Sequence, residues 1–433
     1  MHSTYRTIEA DVCVVGGGLL GLAHAHAARG RGLSVVVLER DSRPLGGSIR
    51  HGGHLFFSAL PGEASQLAAQ ARASWSELLA RAGAFSDDCG TVIVARSDDE
   101  LAVMAAAVRD RPGSARMLSP AQVAKLVPIP TRGLAGALHG LGDLRVDPRT
   151  VAAAIARLLA RDPAVRIEWR TPAQIVEPGL VLAGELRLRA RVVVVCPGAE
   201  TREIPMVLGG EGALGGEGAL RRQRVHMLRV APPGHRRYRP ALATSLTLLE
   251  QPGFAGLPGA EALRARIELE HEQLIEHGVA PVITQLPGGE LIVGPSSVPE
   301  TVPSPFGNER SGQRLLAAAQ ALLGGPCDVR ERWLAAGLSA AAERGSGGSR
   351  AGSDNFHVST PLPGVRVVRA VGPLALALCH VQAAATIAEL LAPAPDGSSA
   401  DGFALRDQRR VPLGVRAHPQ AFRALRARPA PPA

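Results

Sequence analysis

The stretch Asp11–Arg40, DVCVVGGGLLGLAHAHAARGRGLSVVVLER, leaves few folds open to this chain. An apolar run (Val12–Val15) meets a glycine turn, a helical stretch, a second apolar run (Ser34–Leu38) and then the acid Glu39. The turn reads Gly16-Gly17-Gly18-Leu19-Leu20-Gly21. Gly16 lets the chain leave the strand sharply, Gly18 lets a pyrophosphate approach, and Gly21 lets helix lie on strand. The helix that begins here aims its unpaired N–H groups and positive dipole end at phosphate. Glu39, with Arg40 after it, closes the second strand, where a carboxylate can accept both hydroxyls of an adenosine ribose. Strand, turn, helix, strand and acid together predict a dinucleotide-binding unit.

The loop after Glu39 is glycine-rich and basic, and too long for a plain connection. It holds Arg43, Pro44, Gly46, Gly47, Ser48, Ile49, Arg50, His51 and His54. Directly after the ribose acid, such a segment is expected to pack on the cofactor. Helices are expected over Ala64–Gly83, Ser97–Asp110, Ser119 onward, Arg149–Arg161, Ala260–His277, Arg310–Leu323 and Leu374–Ala392. Short strands are expected at Gly90–Ala95, Val165–Trp169, Gln174–Glu177, Leu186–Arg189, Val225–Val230 and Glu290–Val293. Val192–Val195 is a pure valine run, which reads as a strand buried on both faces of a parallel sheet. The small residues Cys196-Pro197-Gly198-Ala199 after it allow a ligand close to the strand's end. A late strand, Gly364–Val371, ends in Gly372-Pro373, with Pro373 expected in the first turn of the final helix. The GGEG pairs at 209–212 and 215–218 read as a flexible loop, 341–353 as low-complexity, and 393–433 as a Pro/Arg-rich, partly disordered tail.

Composition excludes several classes. The 433 residues suggest two or three domains. Formal net charge is +9, but the cations are arginines spread along the chain, and Lys125 is the only lysine. Aromatics are only 3%, too few to interleave as stacking platforms, so nucleic-acid binding is not expected. Five scattered cysteines without C-x-x-C spacing argue against disulfides and zinc and fit a cytoplasmic protein. No run is long enough for a membrane span.

The order of elements, from the first turn and Glu39 through CPGA to a late strand–Gly–helix, resembles the D-amino-acid oxidase and glycine oxidase superfamily of FAD enzymes. Cys89-Gly90-Thr91, Leu118-Ser119-Pro120 and Asp147-Pro148-Arg149 support it. The combination GLAHAHAARGRGLSVVVLER, LRVDPR, CPGAE, HMLRVAPP, SPF and ERW is most similar to its phosphonate-associated branch. The resemblance implies an α/β fold: a Rossmann-type FAD-binding domain with a parallel sheet, plus a glycine oxidase-like α+β substrate domain with an antiparallel sheet. It implies interleaved segments, with 1–85, 146–205 and 336–392 binding FAD and 86–145 and 206–335 forming the substrate domain. Ala173 then matches the place where the backbone meets adenine. Gly372, Pro373, Leu374, Ala375 and Leu376 match the turn that covers the flavin. The loop departs from the branch's Gly-Ala-Ser-x-Arg-Asn-Phe-Gly pattern, because His51 and Gly52 stand where an amide and an aromatic are usual. The implied reaction is oxidation of a C–N bond in a small anionic amine by hydride transfer to the flavin, with oxygen or another acceptor. Arg50, His51 and Arg229 are the candidate catalytic or substrate-binding residues. His51 could be a proton acceptor, an anion contact or a flavin attachment point, and Arg229 could grip an acid group with its two-pronged head. The alternatives are a tailoring oxidation in secondary metabolism and a nucleotide-binding subunit without its own catalysis.

Overall fold

A computed structural model describes residues 6–199, 220–300, 304–340 and 355–392. The duplicated GGEG loop, the 341–353 segment and the basic tail lie outside the described residues. The described residues build two eight-stranded sheets and a small three-stranded one. In the first sheet, strands Val165–Glu168, Val35–Leu38, Arg6–Val15, Leu186–Val195 and Val365–Ala370 lie side by side and parallel. Val12 pairs with both Val35 and Val192, so the predicted β-branched runs are neighbours in space.

Alternate residues of these strands enter two different cores. Val12, Val14, Val35, Val37, Val192 and Val194 face the helices Leu19–Arg29, Ser65–Ala82, Val151–Leu159 and Ala375–Leu391. Cys13, Val36, Leu38, Val193 and Val195 face the other way, onto Val176, Val181 and Leu188 of an antiparallel extension. Burial on both faces is what a continuous valine run requires. Each fully buried side chain of this size adds about 1.5–3 kcal/mol relative to exposure.

The second sheet has the order Asp328–Ala340, Leu220–Ala231, Leu291–Pro299, Val279–Gln285, Ala241–Ala243, Thr91–Ala95, Gly136–Gly140 and Ala115–Leu118. All neighbours are antiparallel except Ala241–Ala243 beside Thr91–Ala95. Helix Glu309–Leu323 packs on it between an Asn308 cap and a left-handed Gly324. His54–Leu55, Leu144–Val146 and Ser86–Asp88 form the three-stranded sheet.

Several expectations need correction. Leu186–Arg189 and Val192–Val195 are one strand, because Ala190 continues the pairing with Ala10. Leu180–Ala183 is a strand that the sequence reading passed over. Ala260–His277 is two helices, broken at His271, whose φ of −135° leaves the helical region. Pro373 stands one residue before the N-cap Leu374 rather than inside the first turn. Other elements match the sequence closely: Ser119 and Gln122 make a full capping box. Among the described residues no helix is long and apolar enough to cross a membrane.

Candidate functional site

The parallel arrangement collects four turns at one edge of the first sheet. Strands ending at Val15, Leu38, Val195 and Ala370 run the same way, so Gly16–Gly21, Glu39, Cys196–Gly198 and Gly372–Leu374 all follow carboxyl ends on that edge. Ligands of open parallel sheets bind outside these ends. The Cys196 amide donates to the Val15 carbonyl at 2.7 Å, and the Gly16 amide donates to Leu38 at 2.8 Å.

The glycine turn is tight for physical reasons. Gly16 has φ +107°, and a Cβ there would stand 2.3 Å from the Cys196 carbonyl oxygen. A Cβ on Gly21 would lie 1.8 Å from the Gly16 carbonyl oxygen, so the helix could not seat on the strand. Glu39 is 9% exposed, and its Oε2 accepts the Gly17 amide at 2.6 Å. Its Oε1 accepts the Asp41 amide at 3.0 Å. Arg40, beside it, is exposed and lies 3.8 Å from Asp41. The Thr171 amide donates to the Glu39 carbonyl, which lays the half-buried Ala173 segment alongside.

The loop Gly46–Gly53 returns over the helix start. Gly47–Ile49 forms a 3-10 turn, and Ser48 Oγ accepts the Leu19 amide at 2.8 Å. Using a lone pair there leaves the Ser48 O–H free to donate to a phosphate oxygen. The Leu20 carbonyl accepts from His24 Nδ1, which fixes that buried ring as the Nδ1–H tautomer. Burial holds His24 at a pKa of about 4. His51 accepts the Gly53 amide at Nδ1, 2.9 Å, so its neutral form carries the proton on Nε2. Burial pulls His51 down to about 4, with the Ser48 carbonyl opposing. At neutral pH it is an uncharged donor, not a cation.

At the last turn, Asn355 organises the backbone. Its Oδ1 accepts the Leu374 amide at 2.9 Å, and its carbonyl accepts the amides of Val371 and Gly372. A Cβ on Gly372 would meet Asn355 Oδ1 at 2.5 Å. Pro373 is exposed and Ala375 buried. Trp75 Nε1 donates to the Leu376 and Ala377 carbonyls, docking the final helix on helix Ser65–Ala82. Sequence reasoning missed Asn355, and nothing in its local sequence marks it as a helix-capping residue 19 positions upstream.

Beside this edge lies a cavity of about 500 Å³ lined by Arg43, Pro44, Ile49, Arg50, Arg149, Ala153 and Trp333. Trp333 Nε1 donates to the Arg50 carbonyl at 3.0 Å, tying the second sheet to the cofactor loop. Arg149 stands 5.7 Å from the Trp333 ring centre and forks onto Glu331. Arg229 lies outside this lining. Its guanidinium pairs with Glu331 at 2.8 Å and Glu290 at 3.3 Å. Glu331 is thus shared by two arginines, which hold its carboxyl below the usual range. His226, on strand Leu220–Ala231, stands just before a bulge, and its Nε2 accepts the Asn308 amide.

The residues at the sheet edge fit an adenine dinucleotide: a Cβ-free approach, an anion-facing helix start with a free hydroxyl, and a buried carboxylate one strand away. The chain's residues 11–392 match the family model of the FAD-dependent oxidoreductases known as DAO. The chain belongs to that family and is an FAD-dependent oxidoreductase. Solved structures share its fold. Glycine oxidase from Geobacillus kaustophilus is 18% identical with a TM-score of 0.66, over 88% of this chain and 94% of that one. L-proline dehydrogenase from P. horikoshii is 13% identical with a TM-score of 0.70, over 89% and 94%. Dithionite-reduced L-α-glycerophosphate oxidase from Mycoplasma pneumoniae, with FAD bound, is 14% identical with a TM-score of 0.67, over 88% and 95%.

Proposed function

We propose that this flavoenzyme oxidises the C–N bond of a small anionic amine, an amino acid or an aminophosphonate, in the cytoplasm. The observation that carries the reading is the cavity where Arg43 and Arg50 flank Trp333 beside the cofactor loop. Two guanidinium groups that pair with no carboxylate among the described residues suit an acid group on the substrate. Arg149, the third cation there, is already held by Glu331. Glycine, L-proline and L-α-glycerophosphate, which name the three structural relatives, each carry an acid group, and two of them carry nitrogen. Resemblance to the phosphonate-associated branch extends the acid group to phosphonate. The five described cysteines are all free and buried, which suits a reducing compartment.

Bound FAD supplies the acceptor for the hydride on the carbon beside nitrogen. The chain's own part is positioning and electrostatics. Arg50 and Arg43 hold the acid group, and the Trp333 ring limits rotation. The first-turn amides of helix Ala375–Leu391 would offer partial positive charge to negative charge growing on a flavin ring held beside them. His51 adds a neutral N–H at the same loop. Arg229, engaged by Glu290 and Glu331, would act through Glu331 on Arg149 rather than by direct contact.

The test is an anaerobic screen of amino acids, aminophosphonates and α-hydroxy acids against the yellow holoenzyme, watching flavin absorbance. Bleaching by an anionic amine supports the proposal. Bleaching by hydroxy acids alone replaces it with C–O oxidation, and inertness to every anionic substrate overturns it.

A further inference from the structure

Just after the cofactor loop lies a chain of hydrogen-bonded side chains outside the site described above. His54 follows the loop directly and pairs across the small sheet with Arg145. Its neighbour Leu55 is fully buried in the helix-side core, so His54 points the opposite way, toward the second sheet. There His54 Nε2 meets Thr91 Oγ1 at 2.8 Å. Thr91 donates to Asp143 Oδ2 at 2.6 Å, and Ser58 donates to the same carboxylate from both Oγ and its amide. Thr91 and Asp143 are completely buried. The group is closely built: a Cβ on Gly140 would lie 2.1 Å from Ser58 Oγ and 3.0 Å from Asp143 Oδ2.

The directions of these bonds are fixed. An ionised Asp143 only accepts, so Thr91 spends its hydrogen on it and must accept from His54 Nε2–H. His54 Nδ1 is then the bare nitrogen, and it has no hydrogen-bond partner among the described residues. The side chain is half-buried, its ring tilted against that of Phe56 with centres 4.6 Å apart. It lies in the seam where the Gly52 carbonyl accepts from Thr284 of the second sheet. Across the small sheet His54 faces Arg145, which pairs with Asp87 at 2.6 Å, and the Cys89 thiol donates to the Asp143 carbonyl. The Arg111 guanidinium, held by the Leu60 and Gly253 carbonyls, interacts with the Asp143 charge.

We propose that His54, Thr91 and Asp143 form a proton relay whose open end, His54 Nδ1, takes the proton from the substrate's ammonium group. This rests on the amine reading above. One substrate N–H bond breaks and a His54 Nδ1–H bond forms. The Nε2 proton passes to Thr91 Oγ1, and the Thr91 hydroxyl proton passes to Asp143 Oδ2. His54 ends neutral in its other tautomer, Thr91 is unchanged, and Asp143 is a carboxylic acid. The free amine left behind is the form from which hydride can depart. Burial holds Asp143 at a pKa of about 6, so the terminal acceptor is ionised at neutral pH yet basic enough to hold a proton. Burial also draws His54 to about 3, so it conducts without storing charge.

Two measurements decide it. The first is ¹⁵N-histidine NMR of the holoenzyme at pH 7.5, with His54 assigned by His54→Gln. The expected signal is a neutral Nε2–H tautomer that Thr91→Val perturbs and Thr91→Ser preserves. An Nδ1–H tautomer or an imidazolium overturns the relay whether or not any amine is oxidised. The second is anaerobic flavin reduction against pH with an amine that bleaches the wild type. Thr91→Val should slow it about 10²-fold with the flavin potential unchanged, Thr91→Ser should restore it, and Asp143→Asn should abolish an acid limb near pH 6. Wild-type rates and pH profile in Thr91→Val would overturn the proposal. If no amine bleaches the flavin, the amine reading fails and the NMR result alone judges the hydrogen-bonded chain.

Discussion

The Glu39 carboxylate receives the Gly17 amide at 2.6 Å from within a site that is 9% exposed, one strand across from the glycine turn. The bond fixes one oxygen, the Asp41 amide holds the other at 3.0 Å, and each oxygen keeps a lone pair with which a ribose hydroxyl could bond. Removing a charge-assisted bond of this kind costs about 1.5–3 kcal/mol. Glu39→Ala should therefore weaken FAD binding by about 10- to 100-fold, and Glu39→Gln by less, because the amide keeps the acceptor. The check is the flavin-to-protein absorbance ratio after purification, followed by FAD titration of the stripped protein. Unchanged affinity in Glu39→Ala would detach this carboxylate from the cofactor.

Two glycines of similar appearance in the sequence should behave oppositely. Gly21→Ala drives a methyl to 1.8 Å from the Gly16 carbonyl oxygen and 3.2 Å from Val14. The helix must lift from the strand, and we expect protein that is insoluble or free of cofactor. Gly30→Ala, at the far end of the same helix, meets only the Ala27 and His26 carbonyl oxygens at 3.5 and 3.6 Å and should leave flavin content and melting temperature within error. Spectra and thermal unfolding of the two variants, prepared side by side, test the pair.

The cavity makes an asymmetric charge prediction. Arg50→Ala removes a guanidinium that lines the cavity and pairs with no carboxylate among the described residues, so the half-saturation concentration for an anionic substrate should rise about tenfold or more. Glu331→Gln does the reverse. It releases Arg149 from its carboxylate fork and should lower the half-saturation value a few-fold, about 2- to 5-fold for so exposed a pair. Arg229→Ala should leave the value nearly unchanged, since Glu290 and Glu331 already occupy that guanidinium. A sharp rise in Arg229→Ala would return Arg229 to direct contact with substrate. Steady-state reduction kinetics at fixed ionic strength separate these outcomes.

What was legible in the sequence was local. The strand–turn–helix around Gly16–Gly21, the acid Glu39, the valine run to Val195 and the Ser119 cap are each set by neighbours a few residues away. What was not legible depends on separation. His54, Thr91 and Asp143 meet across 37 and 52 residues, and no spacing rule joins a loop histidine to a strand threonine and a turn aspartate. Asn355 and the final helix start join through folding alone. Arg229 looked available because its partners are distant in sequence, Glu331 on the neighbouring strand and Glu290 in the turn before Leu291–Pro299. The short strand Leu180–Ala183 was lost because four residues between glycine turns carry no readable period.

His380 gives the last prediction, on stability and pH. Its ring is buried, both nitrogens lack a partner among the described residues, and it stands edge-on to Trp75 with ring centres 4.6 Å apart. Burial lowers its pKa to about 3, with His26 and His24 adding like-charge repulsion. His24 and His51 are drawn to about 4 and His54 to about 3. For such groups the unfolded chain binds the proton first, at about 6.5, and the folded chain much later. Stability is thus full above 6.5 and declines as pH falls toward the folded values. By pH 5 each such histidine removes about 2 kcal/mol. Asp143 has the opposite sign, because its folded pKa of about 6 lies above the carboxylate's ordinary value, so it favours folding on the acid side. One carboxyl does not offset four imidazoles, and the net expectation is a melting temperature that drops steeply between pH 6.5 and 5. His380→Leu replaces an unpartnered polar ring with apolar volume. It should leave the melt at pH 7.5 equal or higher and make the acid decline shallower. Thermal unfolding of the holoenzyme from pH 8 to 5 checks both, and an identical slope in His380→Leu would mean the ring already carries its proton in the folded protein.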